Sequence, residues 1–204
     1  MALDTDLEVI PKIYYATLRN TVQSGDILFY SGEDEVSKLI RWATNSIWSH
    51  VGIILKVESI DRVLLLESVE NQGVRLIPVS KYIRNVSVEA KTEDFAIRLV
   101  IARHKKLSKS KSKKLLNFGL DQITQPYDRE EIQRIIQRII LGEGKAERDN
   151  AYMCSELVYE CFLQANIEFK YNKLGFISPE DIWKDEDLIA IAEIESNELN
   201  KKPA

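Results

Sequence analysis

The amino-acid sequence predicts an α+β protein: a mainly antiparallel sheet or small barrel, followed by a helical part. Two observations carry that expectation. From residue 26 to residue 102 the apolar residues fall mostly in short runs typical of strands, and after Arg103 their spacing becomes helical. A third observation sets the size. The chain has 204 residues, 45% hydrophobic and 29% charged, with no internal repeat or low-complexity linker. That suits one domain able to bury a core without disulfides or a structural metal.

Residues 26–30 (DILFY), after Ser24-Gly25, read as a short strand. Between Glu35 and Thr44 the apolar positions Val36, Leu39, Ile40 and Ala43 recur at helical spacing. Residues 50–57 (HVGIILKV) and 62–69 (RVLLLESV) are apolar on both faces, as strands inside a sheet are. The Ser59–Asp61 connection between them is short enough for a hairpin. Residues 74–79, 86–90 and 95–102 extend the β pattern, with a helical turn near Ser80 to Arg84. Leu116, Leu120 and Ile123 then mark a helix that Ser108, Ser110 or Ser112 could cap and Pro126 ends. Ile132, Ile135, Ile136, Ile139 and Ile140 form an amphipathic stripe stopped by Gly142 and Gly144. A third helix starts near Cys154, with Leu157, Val158, Cys161, Phe162 and Ala165 toward the core. A shorter fourth begins at Ser178-Pro179-Glu180, with proline at the first helical position.

The counts exclude several functions. Lysine and arginine total 28 against 32 aspartates and glutamates, a formal charge of −4, which gives no reason to expect nucleic acid as a partner. The start, MALDTDLEVIPK, carries Asp4, Asp6 and Glu8 in place of the basic and apolar regions of a secretory signal. No apolar run approaches the ~18–20 residues that span a bilayer, so no integral membrane segment is expected. Cys154 and Cys161 are too few for a disulfide framework, and Cys-x6-Cys with no nearby histidine is not a zinc pattern. The expectation is a cytoplasmic protein with reduced thiols, no metal and no cofactor.

Two cysteines and two histidines leave few ways to build a reactive site. Cys154 opens the third helix (YMCSELV), where unpaired backbone N–H groups and the helix dipole stabilise a thiolate. Cys161 lies about 10.5 Å further along the axis at ~1.5 Å per residue. It is beyond disulfide reach and on the apolar side. A lone cysteine at a helix start also has a purely structural reading. His50 opens an apolar strand, either as a buried imidazole with satisfied hydrogen bonds or as the base that a thiol nucleophile needs. Such a base needs a third group to fix its tautomer. Glu67, a lone carboxylate after Val63-Leu64-Leu65-Leu66 in the next strand, is the candidate. The alternative for Glu67 is that the strand ends there and the side chain reaches solvent. His104, flanked by Arg103, Lys105 and Lys106, is expected to be exposed and to compete poorly for the base role.

These pieces resemble a known family in order as well as kind. They are Gly25-Asp26-Ile27-Leu28, Ser49-His50-Val51-Gly52-Ile53, a glutamate in the following strand, Pro126-Tyr127-Asp128, Tyr152-Met153-Cys154-Ser155-Glu156-Leu157-Val158 and Ser178-Pro179-Glu180-Asp181. Together they resemble the YiiX/YaeF-like, circularly permuted branch of the NlpC-type papain-like cysteine hydrolases, which places histidine before cysteine. The resemblance implies a permuted papain-like fold over residues 25–185, with 1–24 as an N-terminal extension and 186–204 as a tail. It implies Cys154 as nucleophile, His50 as base and Glu67 as the polar third residue, with hydrolysis through an acyl-thioester. The implied partner is a small-molecule, peptide or acyl- or lipid-like substrate, and the expected reaction is cleavage of an amide bond. One alternative is a lipid-directed acyltransferase or esterase, as in the lecithin-retinol-acyltransferase relatives of the fold. Met153-Cys154-Ser155-Glu156 departs from their Asn-Cys-Glu-His-Phe type of motif. Another is an inert lipid- or peptide-binding module.

Further features have a bland and a sharp reading each. The Cys154 backbone N–H is a natural first oxyanion donor, and Tyr127, Tyr152 and Tyr30 are candidates for a second. Trp42 and Trp48 either line a cleft or belong to the core. The isoleucine stripe over 129–141 is expected to pack on the core, or else to form a lid over an apolar acyl site. The seven lysines and arginines from Arg103 to Lys114 read as a solvated helix start or loop, with peripheral contact to anionic lipid headgroups as the alternative.

Overall fold

The computed structural model describes residues 7, 9–32, 35–81, 83, 98–128, 152–172 and 175–195. The strands are β1 (Lys12–Ile13), β2 (Ile27–Ser31), β3 (His50–Val57), β4 (Arg62–Val69), β5 (Gly73–Pro78), β6 (Arg98–His104) and β7 (Leu188–Ile194). The helices are α1 (Tyr15–Thr21), α2 (Glu35–Thr44), α3 (Lys109–Asp121), α4 (Cys154–Gln164) and α5 (Pro179–Trp183). The strands form one sheet in the order β1-β7-β6-β2-β3-β4-β5. Neighbours run antiparallel except β1 and β7, which are parallel. The fold is thus α+β, with the strand segments that precede the Cys154 helix making most of the sheet.

Strand alternation divides the apolar residues between two cores. Ile27 and Phe29 of β2 join Val51, Ile53 and Leu66 against Leu157, Val158, Cys161 and Phe162 of α4. Leu28 and Tyr30 join Ile54, Val63, Leu65 and Ile101 in a second cluster with Leu18 of α1. This is why β2, β3 and β4 read as apolar on both faces. The β3–β4 connection is a single 3-10 turn, Glu58–Ile60, closed by Asp61 in the left-handed region at φ 46°.

The helix signals lie where the sequence puts them. Ser108 caps α3, its hydroxyl accepting from the Lys111 N–H at 3.3 Å. Ser178 and Asp181 form a reciprocal capping box at α5, with Pro179 at the first position. That short helix is tied to the segment entering β3. Glu180 accepts from the Ser46 hydroxyl at 2.5 Å, and Trp183 packs on Trp48 and Phe29 at ring separations of 4.9 and 5.0 Å.

Three expectations need correcting. Residues 186–204 do not all form a tail, because 188–194 are strand β7, hydrogen-bonded to β6. A charge in this stretch is paired within the sheet: Arg98 of β6 pairs with Glu193 at 2.6 Å. Residues 1–24 are not merely an extension, since β1 adds to the sheet edge and α1 covers the second core. His104 is not exposed. It is 2% accessible and lies against Phe162 and Phe169, because strand alternation turns its side chain to the opposite face from Arg103. Arg103, for instance, reaches Asp26 with two hydrogen bonds of 2.7 and 2.8 Å. The strand expected over 86–90, the start of that over 95–102 and the isoleucine stripe over 129–141 lie outside the described residues.

Candidate active site

Cys154 is the first residue of α4, 4% exposed. The turn before it is fixed by a capping bond in which Glu156 Oε2 accepts from the Met153 N–H at 3.0 Å. Ser68 of β4 donates to the Tyr152 carbonyl at 2.6 Å, anchoring the entry to the helix on the sheet. His50 opens β3 and Glu67 lies near the end of β4. The antiparallel register, Ile53 opposite Leu66, carries both to the same end of the hairpin. His50 Nε2 is 2.7 Å from Glu67 Oε2. Glu67 is fully buried, and its other oxygen, Oε1, accepts from Arg75 Nε at 2.8 Å and Nη2 at 2.6 Å.

The charges follow from these contacts. Burial works against a charged imidazole, but interaction with the Cys154 sulfur and with Glu67 outweighs it, and the pKa of His50 is pushed up to about 10. Burial likewise favours a protonated Glu67, yet His50 and Arg75 hold its carboxyl below the usual range. Glu67 therefore accepts from Nε2–H, which leaves Nδ1 as the ring nitrogen available to Cys154. Burial pushes the Cys161 thiol far above the ordinary range. Its sulfur lies where a side chain on Gly119 of α3 would collide, so Cys161 is part of the α3–α4 contact.

Beside Cys154 lies a small, largely apolar cleft. Leu39, Ile40, Ala43 and Thr44 of α2 form one wall, Phe176, Ile177, Ser178 and Pro179 another, and Tyr127, Met153 and Ser155 complete it. Burial and the nearby Cys154 sulfur raise the Tyr127 hydroxyl well above its usual value, so it remains a proton donor. The other aromatic candidates are placed differently. The Tyr152 hydroxyl donates to Gln122 at 3.2 Å. Tyr30 sits opposite His50 in register, inside the second core. Trp48 is fully buried, whereas Trp42 is 63% exposed on α2.

A family model described as permuted papain-like amidase enzyme, YaeF/YiiX, C92 family, matches residues 21–191. The chain belongs to this family. The permuted papain-like amidase is thus an enzyme of the cysteine peptidase and amidase kind, with the histidine-bearing sheet preceding the cysteine-bearing helix. Among solved structures, the metalloprotein YiiX from Escherichia coli O157:H7 has the same fold at 20% identity and a TM-score of 0.64, over 84% of this chain and 97% of that one. A comparison with curated proteins returns no match.

In this amidase, one group among the described residues has metal-ligand chemistry. His104, Asp185 and Asp187 each bring a ligand atom within 4.8 Å of the others. Each of its members is engaged by a neighbour. His104 Nδ1 accepts from the Lys106 N–H at 3.2 Å, so Nε2 carries the proton toward Asp185 Oδ1 at 3.4 Å. The Lys106 ammonium pairs with Asp187. Among the described residues, no helix is long and apolar enough to cross a membrane.

Arg75 is the site neighbour that motif reading missed. Its signal lay in two places: a buried glutamate needs a cation, and a tight turn between Val69 and Gly73 sets Arg75 directly opposite Glu67.

Proposed function

We propose that the amidase cleaves an amide bond through an acyl-thioester on Cys154, with His50 as base and Glu67 as the group that orients it. The chain of contacts from Arg75 through Glu67 to His50, ending beside Cys154, is the observation that carries this reading. The thiol proton passes to His50 Nδ1 to give a thiolate–imidazolium pair, Sγ then attacks the carbonyl carbon, and the carbonyl oxygen takes up the negative charge. The Cys154 backbone N–H and the Tyr127 hydroxyl are the donors proposed for that oxygen. The imidazolium then gives its proton to the leaving amine as the C–N bond breaks. Water, losing its proton to His50, hydrolyses the thioester and restores the thiol.

The cleft favours an apolar acyl portion, because Leu39, Ile40, Ala43, Phe176 and Ile177 line it. An N-acyl or peptide amide with an apolar residue fits that lining. The same walls favour lipid-directed acyl chemistry as the second reading. The two free thiols accord with a cytoplasmic location.

Alkylation by iodoacetamide, read residue by residue by mass spectrometry, tests the nucleophile. Cys154 is expected to react below pH 8 and Cys161 to stay protected in the folded protein. If Cys154 reacts only as a free cysteine does, or His50→Ala leaves it unchanged, the mechanism is wrong. Mass spectrometry of what co-purifies with Cys154→Ala separates the substrates: a fatty acyl chain favours lipid chemistry, a peptide or amino-acid conjugate favours amidase work.

A further inference from the structure

We infer that Arg75 is a positioning residue for catalysis: its guanidinium fork fixes the Glu67 carboxylate so that one oxygen is reserved for His50. The inference rests on the mechanism proposed above and adds a fourth member to it. Glu67 and Arg75 are directly opposed on β4 and β5. Arg75 Nε and Nη2 both donate to Oε1, leaving Oε2 to His50 at 2.7 Å. The far side of the guanidinium is held as well, with Nη1 donating to Gln72 at 2.5 Å. Two donors converging on Oε1, with His50 on Oε2, hold the carboxylate at both oxygens and so fix its plane as well as its position.

The clamp also decides the tautomer. A fully buried carboxyl group favours the protonated form. A protonated Glu67 would be able to donate to His50 Nε2, and the ring proton would then sit on Nδ1. That is the nitrogen that has to take the Cys154 proton. With Arg75 in place Glu67 stays an acceptor, so Nε2 keeps its proton throughout and Nδ1 is the nitrogen that exchanges a proton with Cys154. The groups facing this relay are Arg75 of β5 and His50 of β3 on Glu67, and Cys154 of α4 on His50. Beyond Cys154 is Tyr127, which also feels Glu70, Asp128 and Glu156.

The experiment is the pH profile of Cys154 alkylation by iodoacetamide, with thermal melts run on the same samples. In Arg75→Ala the acid limb should move to higher pH, because a carboxyl without its cation keeps its proton to higher pH and supports the imidazolium less. Arg75→Lys, which keeps the charge, should return most of the shift. In a Glu67→Gln background, adding Arg75→Ala should move the limb no further. If Arg75→Ala does not fold, Arg75→Gln carries the same expectation. A folded neutral variant whose melting point falls while its acid limb stays put would overturn the inference and leave Arg75 a structural residue. Failure of the underlying mechanism looks different: wild type and His50→Ala would then share the profile of an ordinary thiol.

Discussion

His50 holds a proton to about pH 10 because Cys154 and Glu67 outweigh its burial. A group whose pKa rises on folding stabilises the native state fully below its unfolded value, near 6.5, and loses that contribution as pH climbs through the folded value. Wild type is therefore expected to lose stability from about pH 6.5 to 10, and His50→Ala to lose that slope; thermal melts across the interval read it directly. Glu67 has the opposite sign. Its carboxyl is held low, so its contribution is present above its unfolded value and disappears as pH falls through the folded one. Gly73 matters for a steric reason: it sits at φ 68°, and a Cβ there would run into the Gln125 carbonyl just before the cleft tyrosine. Gly73→Ala should cost at least ~1 kcal/mol in denaturant melts. The lone buried carboxylate was legible in the sequence because it interrupts an apolar run. Its guanidinium partner was not, because the pairing depends on a turn length that no local pattern states. His104 was misjudged for a related reason: it ends a strand whose alternation turns it to the face opposite Arg103 and onto Phe162 and Phe169.

At the level of elements, α4 does two jobs from its two ends. Its first residue is the cysteine beside the cleft, while Cys161 and Phe162 weld its later turns to α3 and to the Phe169 region. The tight approach at Gly119 makes overpacking a sharp probe. Gly119→Val should destabilise by about 1–3 kcal/mol, seen in a lowered denaturant midpoint, because Leu66 and the Cys161 sulfur already occupy the space. On α5, Ser178→Ala removes one half of a capping box. It should cost about 1 kcal/mol, and it loosens the cleft wall that Ile177, Ser178 and Pro179 form. These helices were legible because caps and apolar spacing are local chemistry. Strands β3 and β4 were legible for the same reason, their bounds falling at His50–Val57 and Arg62–Val69. The cleft was not, since α2 and α5 meet only after the chain between them has folded.

For the whole molecule, the sheet depends on its outermost segments. Strand β7 lies between β1 and β6, so removing the chain from Leu188 onward strips β6 of one neighbour and exposes the Arg98 charge that Glu193 covers. Such a truncation is expected to lose cooperative unfolding in calorimetry. Neither β1 nor β7 was readable beforehand: two residues make no alternation, and an acidic stretch looks solvated until its cations are known. Their pairing, Lys12 beside Glu193 and Ile13 beside Ile194, has a consequence for the time course of synthesis. Contacts this distant in sequence form late, after a large loop has closed. The hairpin bearing His50, Glu67 and Arg75 can assemble while the ribosome is still far from Cys154, and the strand that finishes the sheet emerges later still. Cys154 thus meets a histidine that the sheet has already aligned against Glu67.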